Sequence, residues 1–170
     1  MVTIGPTAVP QNFTHMFDLV DLRSHNQCDK YLYSIDGLLH YIHNCSLFLK
    51  FSHILKISKM EEILNDLSSS YTIFIPIDNF IDDEIFSEMD VSLARHIVKS
   101  SLLDNKIHSA LIKSDNVSYF NTKNNYNKLL ISNIDDNIFI NNALLIQKDI
   151  VTKNGIIHIT DQLINPIIRG

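Results

Sequence analysis

The sequence predicts an α+β domain, and three observations carry that reading. In the first half of the chain apolar residues recur at intervals of three and four, the period of an amphipathic helix. In the second half they fall in short β-rich runs broken by Asn, Asp and Gly, the pattern of strands joined by tight turns. Between the halves, residues 72–77 (TIFIPI) are apolar on both alternating faces, as a strand covered on both sides would be. Helices followed by antiparallel hairpins define the α+β class.

Each element has a local justification. The opening residues contain Pro6 and Pro10 and no sustained periodicity, so an extended arm is expected there, with one helical turn near "HMFDLVDL". From Ser34 the pattern turns helical, with Leu38, Leu39 and Ile42 on one face. A second helix follows Asn44 or Ser46 as cap, with Leu47, Phe48, Phe51, Ile54 and Leu55 as its apolar stripe. Ser58 and Glu61 stand at capping-box spacing ahead of Ile63, Leu64 and Leu67, which predicts a short third helix. After the 72–77 strand Asp78 is placed to cap the next turn, and a further helix starts near Asp90 with Val91, Ala94, Ile97, Val98 and Leu102 on one side. Four strands complete the chain: "KLLIS", "NIFIN", "ALLIQKDI" and "GIIHIT". The turns between them are expected at Asp135-Asp136-Asn137, Asn141-Asn142 and Asn154-Gly155, where Asn and Gly tolerate positive φ.

Composition bounds the function. A chain of 170 residues with 45% hydrophobic content supports one domain with a real core. Its net charge of −5, without any long basic run, removes the electrostatic footprint of nucleic-acid binding. No apolar stretch approaches the roughly 20 residues of a membrane span, and no export signal is visible at Met1. The abundance of Ile, Asn and Lys indicates an AT-rich coding bias. Cys28 and Cys45 could form one disulfide, and sequons at Asn12, Asn44 and Asn116 are about as many as such a composition yields by chance.

Several phrases then carry a resemblance. "TIFIPIDNF" resembles the first signature box of the fasciclin domain family. "NALLIQKDIVTKNGIIHITDQLINP" resembles the second, with Asn142, Asp149, Asn154, Gly155, His158, Asp161 and Pro166 in the expected places. "ARHIVKSSL" resembles the helix end between the boxes, with His96 in its histidine position. Ile77 stands where the family usually has threonine and Arg95 where it has tyrosine. The resemblance implies one fasciclin-like domain over residues 34–167, a β-sheet wedge flanked by N-terminal and central helices, with an extension at 1–33 and a tail at 168–170. It also implies an adhesion or binding module that is not an enzyme, at a cell surface or in a matrix.

Candidate chemistry is thin. His158 shares a strand face with Ile156 and Thr160, and a lone imidazole there reads as a polar pin between elements, with Asp78 and His96 as candidates to meet it. His40, His43 and His53 do not make a zinc-ligand pattern, and the chain has neither a nucleophile elbow nor a glycine-rich phosphate cradle. No catalytic residue, metal ligand or cofactor is therefore expected. The family-motif residues Asp78, His96, Asn154, Gly155 and His158 are expected to be structural. Lys148, Asp149 and Ile150 match part of a stretch that contacts integrins in some matrix relatives, while Tyr119 and Tyr126 are the candidate platforms for a sugar. The expected partner is a protein or glycan. Alternatives are an intracellular or virion-associated scaffold that keeps the fold, and a carrier of an apolar small molecule.

Overall fold

The computed structural model describes residues 36–122, 127–164 and 167–168. The expected turn at "HMFDLVDL", Cys28, Asn12, Tyr126 and Pro166 lie outside them. Three helices come first: α1 (Leu38–Asn44), α2 (Leu49–Ser58) and α3 (Glu61–Leu64). Strand β1 (Tyr71–Pro76) follows, then α4 (Asp83–Ser87), α5 (Val91–Ser100) and the short β2 (Leu102–Leu103). The remainder is β3 (Asn116–Asn121), β4 (Asn127–Ile134), β5 (Asn137–Ile140), β6 (Ala143–Thr152), β7 (Gly155–Thr160) and β8 (Ile167–Ile168). The α+β expectation holds.

The strands run in the order β2-β1-β7-β6-β5-β4-β3, with β8 paired to β4. All pairings are antiparallel except β1 with β7, where Phe74 lies beside His158. Strand β1 is buried at all six positions, because helices cover one of its faces and the curled sheet the other. Two apolar cores result. The first joins α1, α2 and α5 to the helix-facing residues Ile73, Ile75, Ile157 and Ile159. The second, around Phe74, Leu103, Leu129, Ile131, Ile140 and Leu145, fills the inside of the sheet. Strand β6 contacts both, and two register shifts between Leu145 and Ile150 bend it.

Local details depart from expectation in instructive ways. Neither Asn44 nor Ser46 caps the second helix; Asp78 reaches across from the end of β1 and accepts from Lys50 N at 2.7 Å. Ser58 and Glu61 form no capping box. The Ser58 hydroxyl donates to Leu55 O at 2.7 Å and accepts from Met60 N at 3.2 Å, closing α2, while Glu61 turns to His43. Of the third helix's apolar residues only Leu64 is buried, with Ile63 and Leu67 exposed. Asp90 does cap α5 through Leu93 N at 2.8 Å, but Leu102 leaves the helix and pairs with Ile73. Strands β2, β3 and β8 and helix α4 were not among the expected elements.

The hairpin turns divide by mechanism. Asp135 and Asp136 both take positive φ, 53° and 67°, as the twist of a two-residue hairpin requires. Asn154 and Gly155 do not. Glycine is needed at 155 for space: a Cβ there would lie 2.6 Å from Leu38 Cδ2 and 2.8 Å from the Tyr71 carbonyl oxygen. Gly155→Ala is therefore expected to destabilise the protein by about 1–3 kcal/mol, the usual range for overpacking. Urea denaturation measures it, and an unchanged midpoint would contradict the close approach.

Candidate functional site

Polar residues of the second signature stretch converge from β6 and β7 on the loop that joins β2 to β3. Alternation along β7 turns Ile157 and Ile159 to the helices and His158 to the inner core, where its ring stacks on Phe74 with centroids 5.4 Å apart. The imidazole is completely buried. Its Nδ1 accepts from the backbone N–H of Asp149 at 3.1 Å, and its Nε2 lies 2.8 Å from the Ile107 carbonyl oxygen. A backbone N–H can only donate, so Nδ1 carries a lone pair and the proton resides on Nε2. Burial pushes the His158 pKa below its ordinary value, against the opposing pull of the Ile107 carbonyl and the Asp149 carboxylate. His158 is neutral.

The β6 bulge makes this bond available. Asp149 takes φ 62°, a left-handed conformation that a short polar side chain tolerates, and its N–H turns to His158. The carboxylate goes the other way: Oδ1 accepts from Ser109 N at 2.8 Å and Oδ2 from the Ser109 hydroxyl, with His108 Nε2 at 3.6 Å. Thr72 on β1 completes the clamp, accepting from Ile107 N at 2.7 Å and donating to Asn105 O at 2.5 Å. Three strands thus hold one loop by its backbone.

Asn154 performs a similar task for the helices. Its buried Oδ1 accepts from Leu38 N at 2.9 Å, at the start of α1. Its Nδ2 donates to Leu64 O at 3.0 Å, in the last residue of α3, and to Asp66 O at 3.1 Å just beyond it. One amide therefore satisfies backbone groups at two helix termini that have no intrahelical partner. Asp78, the trans cap of α2, is raised in pKa by partial burial, with the N–H groups of Lys50 and Leu49 pulling the other way.

The sequence-expected residues fall into distinct places. Asp78 and His96 do not meet His158: Asp78 faces α2, His96 is exposed on α5, and the imidazole's partners are backbone groups of Asp149 and Ile107. Lys148 is exposed, Asp149 is engaged with Ser109, and Ile150 is fully buried in the helical core. Tyr119 is 63% exposed on β3, with Lys128 Nζ 5.9 Å from its ring centre. His40 pairs with Asp36, His43 bridges Ser52 and Glu61, and His53 lies against Phe86. Among the described residues no group of three or more His, Cys, Asp or Glu could hold a metal ion. Sequence reasoning missed Thr72, Ile107 and Ser109. The Ile107 carbonyl carries no side-chain signal, and Thr72 reads only as one more buried strand position.

A buried neutral histidine couples stability to pH. The unfolded imidazole titrates near 6.5 and the folded one lower, so stability is fully present above 6.5 and is lost as pH falls toward the folded pKa. The slope reaches at most about 1.4 kcal/mol per pH unit for one proton. His158→Gln is expected to be less stable at pH 7 by about 1–3 kcal/mol, because buried backbone groups lose partners. It should also be less pH-dependent between about pH 7 and 5. Asp78, whose pKa is raised by burial, acts with the opposite sign, and because both proteins carry it, subtracting the two urea-unfolding profiles isolates His158. Parallel profiles would contradict a buried neutral imidazole.

Comparison with known proteins agrees with this architecture. No curated protein matches the chain in sequence. A solved FAS1 domain pair from the insect cell adhesion molecule fasciclin I is similar in fold, with a TM-score of 0.60 at 15% identity over 76% of this chain. The alignment spans 51% of that structure, about half its length. The family model for the fasciclin domain matches residues 46–166, which include both signature stretches and the His158 clamp. With most of its length inside that match, the chain belongs to the fasciclin domain family.

Proposed function

We propose that the chain is a non-catalytic binding module that recognises a protein or glycan partner at a cell surface or in a matrix, needing no cofactor. The family supports an adhesion or binding module in general. The observation that carries the non-catalytic part is the occupancy of His158. General acid–base catalysis needs a group within reach of a substrate proton, and this imidazole is buried with both nitrogens bonded to backbone. Asn154, Asp78 and Asp149 are likewise engaged in holding backbone groups.

Among the described residues, a small cavity lined by Leu111, Ile112, Lys113, Ser118, Phe120 and Ile131 measures about 20 Å³, below the volume an apolar pigment would need, and it lends no support to a carrier. We read the unit as a single domain over 34–167 with an extension at 1–33 and a tail at 168–170.

A panel of cell-surface proteins and glycans, probed with the folded chain, tests the reading. Saturable binding to at least one member is expected. Lys148→Ala, with its unfolding midpoint unchanged, decides whether the Lys148-Asp149-Ile150 stretch takes part: a loss of about tenfold or more assigns the contact. Unchanged affinity moves it elsewhere, and absence of binding across the panel contradicts the module reading.

A further inference from the structure

The sheet face that the helices cover over β1, β7 and β6 continues onto β5, β4 and β3, where its apolar residues are exposed. Leu144 of β6 packs against the helical core, and its neighbour on β5 is Phe139. From there the register carries the same face to Ser132 on β4 and then to Val117 on β3. One row over, Leu130 stands opposite Tyr119. The inward-facing Leu129, Ile131, Ile138 and Ile140 are buried, whereas Val117 is 56%, Tyr119 63% and Ile134 53% exposed. Leu130 and Phe139 are half-buried between them.

The charges of this region are divided between its two ends. Lys128, exposed, lies at one, with its Nζ 5.9 Å from the Tyr119 ring centre. Exposed Asp115, Asp135 and Asp136 lie at the other, at the start of β3 and in the turn from β4 to β5. Lys113 lies elsewhere, lining the small cavity with the inward-facing Ser118, Phe120 and Ile131. Lys128 comes four residues before Ser132 and Asp136 four after it, so they flank the middle row at similar distances, roughly 13 Å at the rise of a strand. An isologous interface needs a patch complementary to itself. Opposite charges on either side of a largely apolar middle meet that condition.

We propose that this face is an interface between two copies of the chain. The two sheets stack face to face across a two-fold axis lying along the Val117-Ser132-Phe139 row. That axis reverses the strand direction, so Val117 and Phe139 meet their own counterparts and Leu130 meets Ile134 of the second copy. Lys128 meets Asp136 of the second copy, and the pair occurs twice. A uniformly basic or acidic partner would be attracted at one end and repelled at the other. A footprint of three strands is at the small end of specific interfaces, so the dimer is a micromolar one. The interface does not depend on the binding-module reading, since a partner can be held at another surface.

Light scattering coupled to gel filtration of the full chain tests it. The mass is expected to move from one chain toward two between about 1 and 200 µM. Tyr119→Ser, at an exposed position, should weaken the dimer at least about tenfold while leaving the urea midpoint in place. Lys128→Glu and Asp136→Lys each set like charges against each other and should hold the chain monomeric over that range. Mixed in equal amounts, the two variants regain both attractive pairs, and a dimer should return. Asp136 has φ 67°, so Asp136→Asn, a residue type that tolerates this backbone, serves as the unstrained variant and should partly relieve the Lys128→Glu defect. A chain monomeric at every concentration overturns the inference, as does a dimer indifferent to Tyr119→Ser and both reversals. A mixture that stays monomeric overturns the two-fold arrangement. A monomer that binds a member of the cell-surface panel overturns the interface and spares the module reading, whereas a dimer with an empty panel does the reverse.

Discussion

The hydrogen bond from the Asp149 N–H to His158 Nδ1 is the constraint on which the inner half of the structure depends. It exists because the β6 bulge directs one backbone donor to the imidazole instead of to the ladder. A buried N–H without a partner costs as much as a lost hydrogen bond or more, so the bulge and the histidine need each other. The same bond fixes the tautomer, and the tautomer fixes what Nε2 can do. Carrying the proton, it holds the Ile107 carbonyl and with it the loop between β2 and β3. Thr72 and the Asp149 carboxylate grip that loop at neighbouring points, so β1, β6 and β7 all act on one segment.

Asn154 supplies the corresponding constraint on the outer half. Helices α1 and α3 are short, 7 and 4 residues, and short helices have little internal stability. Their orientation on the sheet comes from burial of Leu38, Leu39, Tyr41, Ile42 and Leu64 together with one buried amide that bonds backbone at both. Gly155 lets this arrangement close, since Leu38 and the Tyr71 carbonyl occupy the space a side chain would need. The signature stretch is thus a set of internal fasteners. A module whose polar motif residues face inward leaves recognition to its exposed surface, and exposed surfaces can change while the fold stays.

Much of this was legible in the sequence, and the misses have physical reasons. Period-two alternation put His158 opposite Ile157 and Ile159, and the all-apolar 72–77 run indicated a strand covered on both faces. The Asp135-Asp136 turn followed from residue types that tolerate positive φ. Asn154-Gly155 has the same local signature, yet there glycine answers to a long-range contact with Leu38 and asparagine to three backbone groups 88 to 116 residues away. Local patterning cannot distinguish those causes. Ser58 and Glu61 matched a capping box by spacing, but each found a different partner. Asp78 and His96 failed to meet His158 because its acceptor and donor are main-chain atoms, which the one-letter sequence does not mark.

The most direct measurement of the central claim is the protonation state of the His158 ring by long-range ¹H–¹⁵N NMR at pH 7. The structure requires a neutral ring with its proton on Nε2, a slowly exchanging N–H, and no titration near the ordinary pKa of 6.5. A ring protonated on Nδ1, or an imidazolium that titrates near 6.5 like an exposed histidine, would contradict the account.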